Sequence, residues 1–219
     1  MSRVLVLHAH PSPSRSRVNA RLAAVARETE GVTLVDLYAA YPRFKIDIDA
    51  EQARLAEHDV VVFQCPFHWY SVPALLKEWM DLVLEFGFAY GEGGNALAGK
   101  TLLVAITAGG AESAYAETGH NNFPVRTLLT PLEQTALLCG MRFLPPFVLF
   151  AALRAVGDGR ADAHVEAWRA LLEALRDDAL DAAALTGRDC LDEAALPLLG
   201  DRRPDRRAAA APGNAEPAR

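Results

Sequence analysis

Asp59-Val60-Val61-Val62-Phe63-Gln64-Cys65-Pro66-Phe67-His68-Trp69-Tyr70-Ser71-Val72-Pro73 runs without a break from an apolar, β-branched segment into a loop of aromatic rings bounded by prolines. A continuous run of this kind, Val60 to Phe63, is the signature of a strand buried on both faces, as in the middle of a parallel sheet. An amphipathic helix follows from Ala74 to Leu84, with Pro73 near its first turn, where a missing N–H costs little. Its apolar side, Leu75, Leu76, Trp79, Met80, Leu82 and Val83, reads as core. Open α/β sheets bind ligands outside the carboxyl ends of their strands, so the rings of Phe67, Trp69 and Tyr70 form a wall for something flat.

On either side of that segment, strands and helices alternate. Arg3 to Leu7 is a short strand, and the polar loop His8 to Arg17 leads into a helix with Val18, Leu22 and Val25 on one side, closed by Gly31. That loop brings hydroxyls, arginines and backbone N–H groups to a helix start, where the dipole favours an anion such as a phosphate. Ser14 or Ser16 could equally serve as the helix cap. His8 and His10 share one strand face, one as a packed ring and the other as a ligand contact. Val32 to Val35 is a second strand. Asp36 to Ile48 is a loop with packing aromatics Tyr38, Tyr41 and Phe44, and Asp49 with Gln52 has capping-box spacing for a helix through His58.

Phe86 to Gly94 is glycine-rich and aromatic, a loop for a pocket or a subunit interface. The fourth strand, Thr101 to Ile106, ends in Thr107-Ala108-Gly109-Gly110, a turn over which a ligand can approach the backbone. Thr127 to Cys139 reads as a helix interrupted by Pro131, Met141 to Leu144 as a short fifth strand, and Phe147 to Phe150 as extended. A last helix, about Asp162 to Leu180, carries Val165, Trp168, Leu171, Leu172 and Leu175 as its buried stripe. The expected fold is α/β, a five-stranded parallel sheet with helices on both faces. It forms one domain over residues 1–180, followed by an extension over 181–219 that is expected to be largely disordered, although Leu191 to Leu199 could dock.

A chain of 219 residues with 51% hydrophobic residues and a net charge of −6 can bury a full core, and it has no basic stripe for nucleic acid. Three scattered cysteines suggest neither disulfides nor a metal site, and Cys65 and Cys139 read as packed thiols. The expected location is cytoplasmic, without a signal segment or a membrane span.

Three loops thus leave the carboxyl ends of neighbouring strands: His10 to Asn19, Cys65 to Val72 and Thr107 to His120. A phosphate-seeking helix start, an aromatic wall and a glycine turn followed by a phenol and an imidazole are the requirements of flavin mononucleotide. At these loops the chain resembles the flavodoxin-like NAD(P)H:quinone oxidoreductases, closest to the cytoplasmic ancillary subunits of glutathione-gated potassium-efflux systems. The likeness is carried by His8-Ala9-His10-Pro11, Asn19, Asp47-Ile48 with Glu51-Gln52, Trp69 to Pro73 with Leu75-Leu76-Lys77, Phe88 to Gly91, Thr107 with Gly109 to Ser113, and Cys139-Gly140 with Leu144 to Phe147.

The resemblance implies a flavodoxin-like fold and flavin phosphate contacts at His10, Ser16, Val18 and Asn19. It implies a ring floor of Pro66, Phe67, His68, Trp69 and Tyr70, and a ring edge held by Thr107, Ala108, Gly109 and Gly110. Tyr115 and His120 fall where the family places its proton-relay pair, at a spacing one residue shorter. FMN, or alternatively FAD, would take hydride from NADH or NADPH and pass it to a quinone by a ping-pong route. The family also implies a homodimer, with Phe88 and Tyr90 lent to the other subunit, and a link to a membrane potassium-efflux transporter that would hold the protein at the inner membrane.

A second reading makes the chain a regulatory binding subunit of such a potassium/proton antiporter, with secondary redox activity. Two further readings are disfavoured. His8-Ala9-His10-Pro11 lacks the acidic residues that a zinc deacetylase needs after the proline, and no Gly-x-Gly-x-x-Gly opens the first helix as in a Rossmann dehydrogenase.

Overall fold

The computed structural model describes residues 1–180, Leu185 and 188–191. In chain order the elements are β1 (Val4–His8), α1 (Val18–Glu28), β2 (Val32–Asp36), α2 (Leu37–Ala40), α3 (Ile48–Glu57), β3 (Val60–Pro66), α4 (Ala74–Val83), β4 (Thr101–Thr107), α5 (Val125–Leu128), α6 (Thr130–Leu138), β5 (Arg142–Phe143), β6 (Phe147–Leu149), α7 (Ala152–Ala155) and α8 (Arg160–Arg176). The sheet is parallel throughout, in the order β2-β1-β3-β4-β5, and β6 also pairs with β4.

This is the expected five-stranded sheet, with its fifth position divided between β5 and β6. Pro145-Pro146 separates the two, since a proline has no N–H to donate to a ladder. Strand order reverses beside β1, so the loops after β1 and β3 diverge and open a crevice at their carboxyl ends.

The central strands are buried along their whole length, and alternation divides their side chains between two cores. Leu5, Leu7, Val61, Phe63, Cys65, Val104 and Ile106 face one core with Trp79 of α4, whereas Val4, Val6, Val60, Val62, Leu103 and Ala105 face the other with Leu22 of α1 and Trp168 of α8. Trp79 and Trp168 are both fully buried, each contributing upward of about 2 kcal/mol by area. Each indole N–H is satisfied, Trp168 donating to the Leu22 carbonyl at 3.0 Å and Trp79 to the Glu51 carboxylate at 2.9 Å.

Several local expectations are corrected. The loop Asp36 to Ile48 contains the turn of α2, capped by Asp36, whose carboxylate accepts the Ala39 N–H. The cap of α3 is Asp47 rather than Asp49: its carboxylate accepts the Ala50 N–H. The residue after Asp49 and Ala50, Glu51, turns inward, where it accepts hydrogen bonds from Trp79, Tyr41 and Arg54. Pro131 starts α6 rather than interrupting a longer helix. The third strand runs on to Pro66, and the last helix begins at Arg160 and ends at Arg176. Beyond it, Leu191 is buried and bridges to Phe147, which realises the first residue of the docking segment expected over Leu191 to Leu199; the rest of that segment and the tract from Arg202 lie outside the described residues.

Candidate functional site

Two adjoining cavities open at the carboxyl ends of β1, β3 and β4. The first, ≈ 300 Å³, is lined by His10, Arg15, Arg17, Val18, Asn19, Pro66, Phe67, His68, Thr107, Ala108, Gly109, Ala152 and Leu153. The second, ≈ 290 Å³, is lined by Phe67, Trp69, Tyr70, Gly109, Gly110, Ala114, Tyr115, His120 and Asn121. Phe67 and Gly109 belong to both, so the two form one cleft. The cleft gathers every residue singled out from the sequence for cofactor or catalysis except Ser16. The Ser16 hydroxyl accepts the Ala20 N–H at 2.9 Å, which is the capping role weighed against an anion contact.

The first cavity has the chemistry of an anion cradle. It lies at the N-terminus of α1, whose first-turn N–H groups have no partner within the helix, and Arg15 and Arg17 are among the residues that line it. His10 accepts the Ser12 N–H at Nδ1, 3.1 Å away, which leaves its proton on Nε2 as a donor. Burial, with His8 and His68 nearby, lowers the His10 pKa, so the ring is neutral at pH 7 and this tautomer persists.

Asn19 is buried and does not simply face the cleft. Its Nδ2 donates to Thr107 Oγ1 at 2.8 Å, while Gln64 Nε2 donates to both its carbonyl and its Oδ1 at 3.0 Å. Gln64, missed in the sequence because it sits inside an apolar strand, thereby ties α1 to β3 and β4 beneath the site. Because Asn19 occupies one lone pair of the Thr107 oxygen, the Thr107 hydroxyl proton is directed elsewhere, and Thr107 lines the cavity. His8 behind this network is buried, which lowers its pKa, and its ring stacks with that of His10 at 6.5 Å. One histidine is packed and the other lines the cleft, as strand alternation suggested.

The aromatic wall is built on an unusual turn. His68 and Ser71 exchange backbone hydrogen bonds of 3.1 and 3.0 Å, a two-residue hairpin whose central residues are Trp69 (φ 50) and Tyr70 (φ 62). Glycine and asparagine normally occupy such positions. Two large L-residues in the left-handed region store strain, and strain of this kind concentrates at working sites. The turn leaves Trp69 93% exposed at the cleft rim. The rings of Phe67, Tyr70, Tyr115 and Phe150 pack behind it with centroid separations of 5.4 to 6.3 Å.

A family model for the flavodoxin-like fold matches residues 2–172. The chain belongs to this family. It is also 51% identical over 152 residues to KefG, the glutathione-regulated potassium-efflux system ancillary protein of Pectobacterium carotovorum subsp. carotovorum (strain PC1), a match covering 69% of this chain and 83% of that one. Among solved structures it is similar to general stress protein 14 of Treponema denticola in complex with FMN, with 35% identity, a TM-score of 0.75, and coverage of 79% of this chain and 99% of that one. It also resembles an NADPH-quinone reductase from P. pentosaceus, with 28% identity, a TM-score of 0.70, and coverage of 77% of this chain and 96% of that one. The flavodoxin-like fold is thus shared with these proteins.

The residues present fit a flavin. A side chain at Gly109 would meet nothing within 4 Å, so the backbone there is open to a ligand at the junction of the two cavities. Donors for a phosphate lie on one side of that junction and flat rings on the other. The second cavity also contains two residues not foreseen in the sequence, Ala114 and Asn121, and the first contains Ala152 and Leu153. The latter pair arrives because the chain turns at Ala151 (φ 50) instead of continuing extended through Phe150. Arg15 and Arg17 were visible as loop arginines, and only their convergence on the cleft was not.

Proposed function

We propose that the protein is a flavin-dependent NAD(P)H:quinone oxidoreductase that binds FMN, with FAD as the alternative, and works as a homodimer beside a membrane potassium-efflux transporter. The observation that carries the reading is the single cleft joining an anion cradle at the start of α1 to an aromatic wall through Gly109. Bound flavin would supply reversible acceptance of a hydride, from NADH or NADPH and then to a quinone. His10 and the two arginines hold the phosphate, Phe67 to Tyr70 set the ring plane, and the Gly109-Gly110 turn lets the ring edge approach the backbone, with the Gly109 N–H as its donor. Burial and the neighbouring Tyr70 raise the Tyr115 pKa, so the phenol keeps its proton at neutral pH and is available as a donor. His120 lines the same cavity and is the second proton-handling candidate.

Phe88 and Tyr90 are half-buried against their own core, and Phe86, 67% exposed, is the ring of that loop most available to a partner subunit. The likeness to KefG favours a second role, regulation of potassium efflux, with the redox site as its sensor. No helix among the described residues is long and apolar enough to cross a membrane. The test is direct: purified protein titrated with FMN should develop a bound-flavin spectrum that bleaches on NAD(P)H and returns on quinone addition. A chain that takes up no flavin overturns the reading.

A further inference from the structure

Tyr115 does not stand alone in its cavity. Residues Glu112–Ala114 form a single helical turn, and the Asn121 N–H then returns to the Ala114 carbonyl at 2.9 Å, which brings the Asn121 side chain back over the phenol. The Tyr70 hydroxyl donates to Asn121 Oδ1 at 3.2 Å. An amide whose oxygen is used in this way presents its NH2 group on the other side, and both Asn121 Nδ2 and Tyr115 Oη lie 3.6 Å from the position a Gly110 side chain would occupy. Two side chains therefore meet above Gly110, where the Tyr115 ring carbon Cε2, at 3.1 Å from that position, would have to give way slightly to a side chain.

We infer that Asn121 is a positioning residue that bridges the Tyr70 and Tyr115 hydroxyls and orients the Tyr115 O–H into the cleft. The inference rests on the redox reading of the site for its consequence, though not for its geometry. The Tyr115 oxygen has two lone pairs. The Asn121 amide and the Gly110 N–H both approach it as donors and favour its ionised form, which leaves the phenol's own proton free to turn toward the cavity that Tyr115 and Asn121 line. The direction of the chain is set at Tyr70, whose proton is spent on Asn121 and whose ring packs edge-on against Phe67 at 6.3 Å. Tyr70 is thus a wall and an anchor rather than a second proton donor.

The test uses the full chain loaded with FMN and four variants: Asn121→Ala, Asn121→Gln, Tyr115→Phe and the double variant Asn121→Ala/Tyr115→Phe. Asn121→Ala should lower kcat for NADPH oxidation about tenfold, the value of one well-placed hydrogen bond, with KM for the quinone little changed. Added to Tyr115→Phe, it should cause no further loss, because the two act as one unit. Asn121→Gln, which retains the amide, should recover part of the rate. Independently of any activity, difference absorbance of the phenolate, Asn121→Ala against Asn121→Ala/Tyr115→Phe, should show Tyr115 ionising at higher pH than in the parent protein, since a donor to its oxygen has been removed. An unmoved Tyr115 titration, or losses that multiply in the double variant, overturns the inference. Absence of NADPH oxidation in the parent protein would instead count against the redox reading and leave the titration to decide the role of Asn121.

Discussion

Replacing Trp69 with asparagine should make the protein more stable and less active. Trp69 has φ 50 in the hairpin turn and is 93% exposed, so its indole contributes almost no burial to the fold. A left-handed L-residue costs roughly 1–2 kcal/mol, and asparagine tolerates the conformation far better than tryptophan. With little burial to lose, Trp69→Asn should gain about 1 kcal/mol, which for a domain of this size raises Tm by about 2–4 °C. Thermal unfolding of the flavin-free protein followed by circular dichroism reads that term by itself. The same substitution removes a ring from the cleft rim. Losing a stacking contact of about 0.5–1.5 kcal/mol should raise KM for a planar quinone roughly two- to tenfold. A fall in Tm of several degrees would refute the argument, because the indole would then be supporting the fold. A higher Tm with unchanged KM would refute the link between the strained turn and binding.

Two further outcomes follow from buried charge. Glu51 is fully buried and accepts from Trp79, Tyr41 and Arg54, so Glu51→Ala strands an indole N–H and a guanidinium; the loss should be about 3 kcal/mol, discounted from the fully buried case because Arg54 is partly exposed, and should appear as a lower urea midpoint at unchanged m-value. His164 is stacked on Phe147 at 4.1 Å, and burial lowers its pKa to about 3. As the pH falls below about 6.5 the unfolded chain takes up a proton that the folded one refuses, so stability declines by up to ~1.4 kcal/mol per pH unit down to the folded value. Urea unfolding between pH 7 and 5 should show a shallower decline for His164→Phe than for the parent, and equal slopes would contradict the assignment.

Most of the architecture was legible because it rests on local periodicity. Continuous apolar runs such as Val60 to Phe63 and Thr101 to Ile106 can be buried on both faces only in the middle of a parallel sheet, and the polar or aromatic residues that follow such runs must then lie at its carboxyl edge. The expected ligand-facing residues, Ser16 excepted, accordingly fell into one cleft. Boundaries were less legible where two residues competed for one role. Asp47 and Asp49 are both plausible caps, and the choice went to Asp47 with Glu51 placed inward under the Trp79 indole, 28 positions away.

The layered α/β fold, the strand ends that carry the cleft, and the residue types gathered there follow from local sequence, because hydrophobic alternation and strand-loop-helix order are short-range properties. Tertiary structure alone decided three things. It joined Asn19, which lines the cleft, to Gln64 and to Thr107, the latter 88 positions from it in the chain, and it placed Asn121 beside Tyr70 and Tyr115. It also held Trp69 and Tyr70 in left-handed conformations that their residue types disfavour. Each depends on long-range packing: a hydrogen bond between distant segments, or a backbone angle opposed by local preference, persists only when the surrounding fold supplies the free energy.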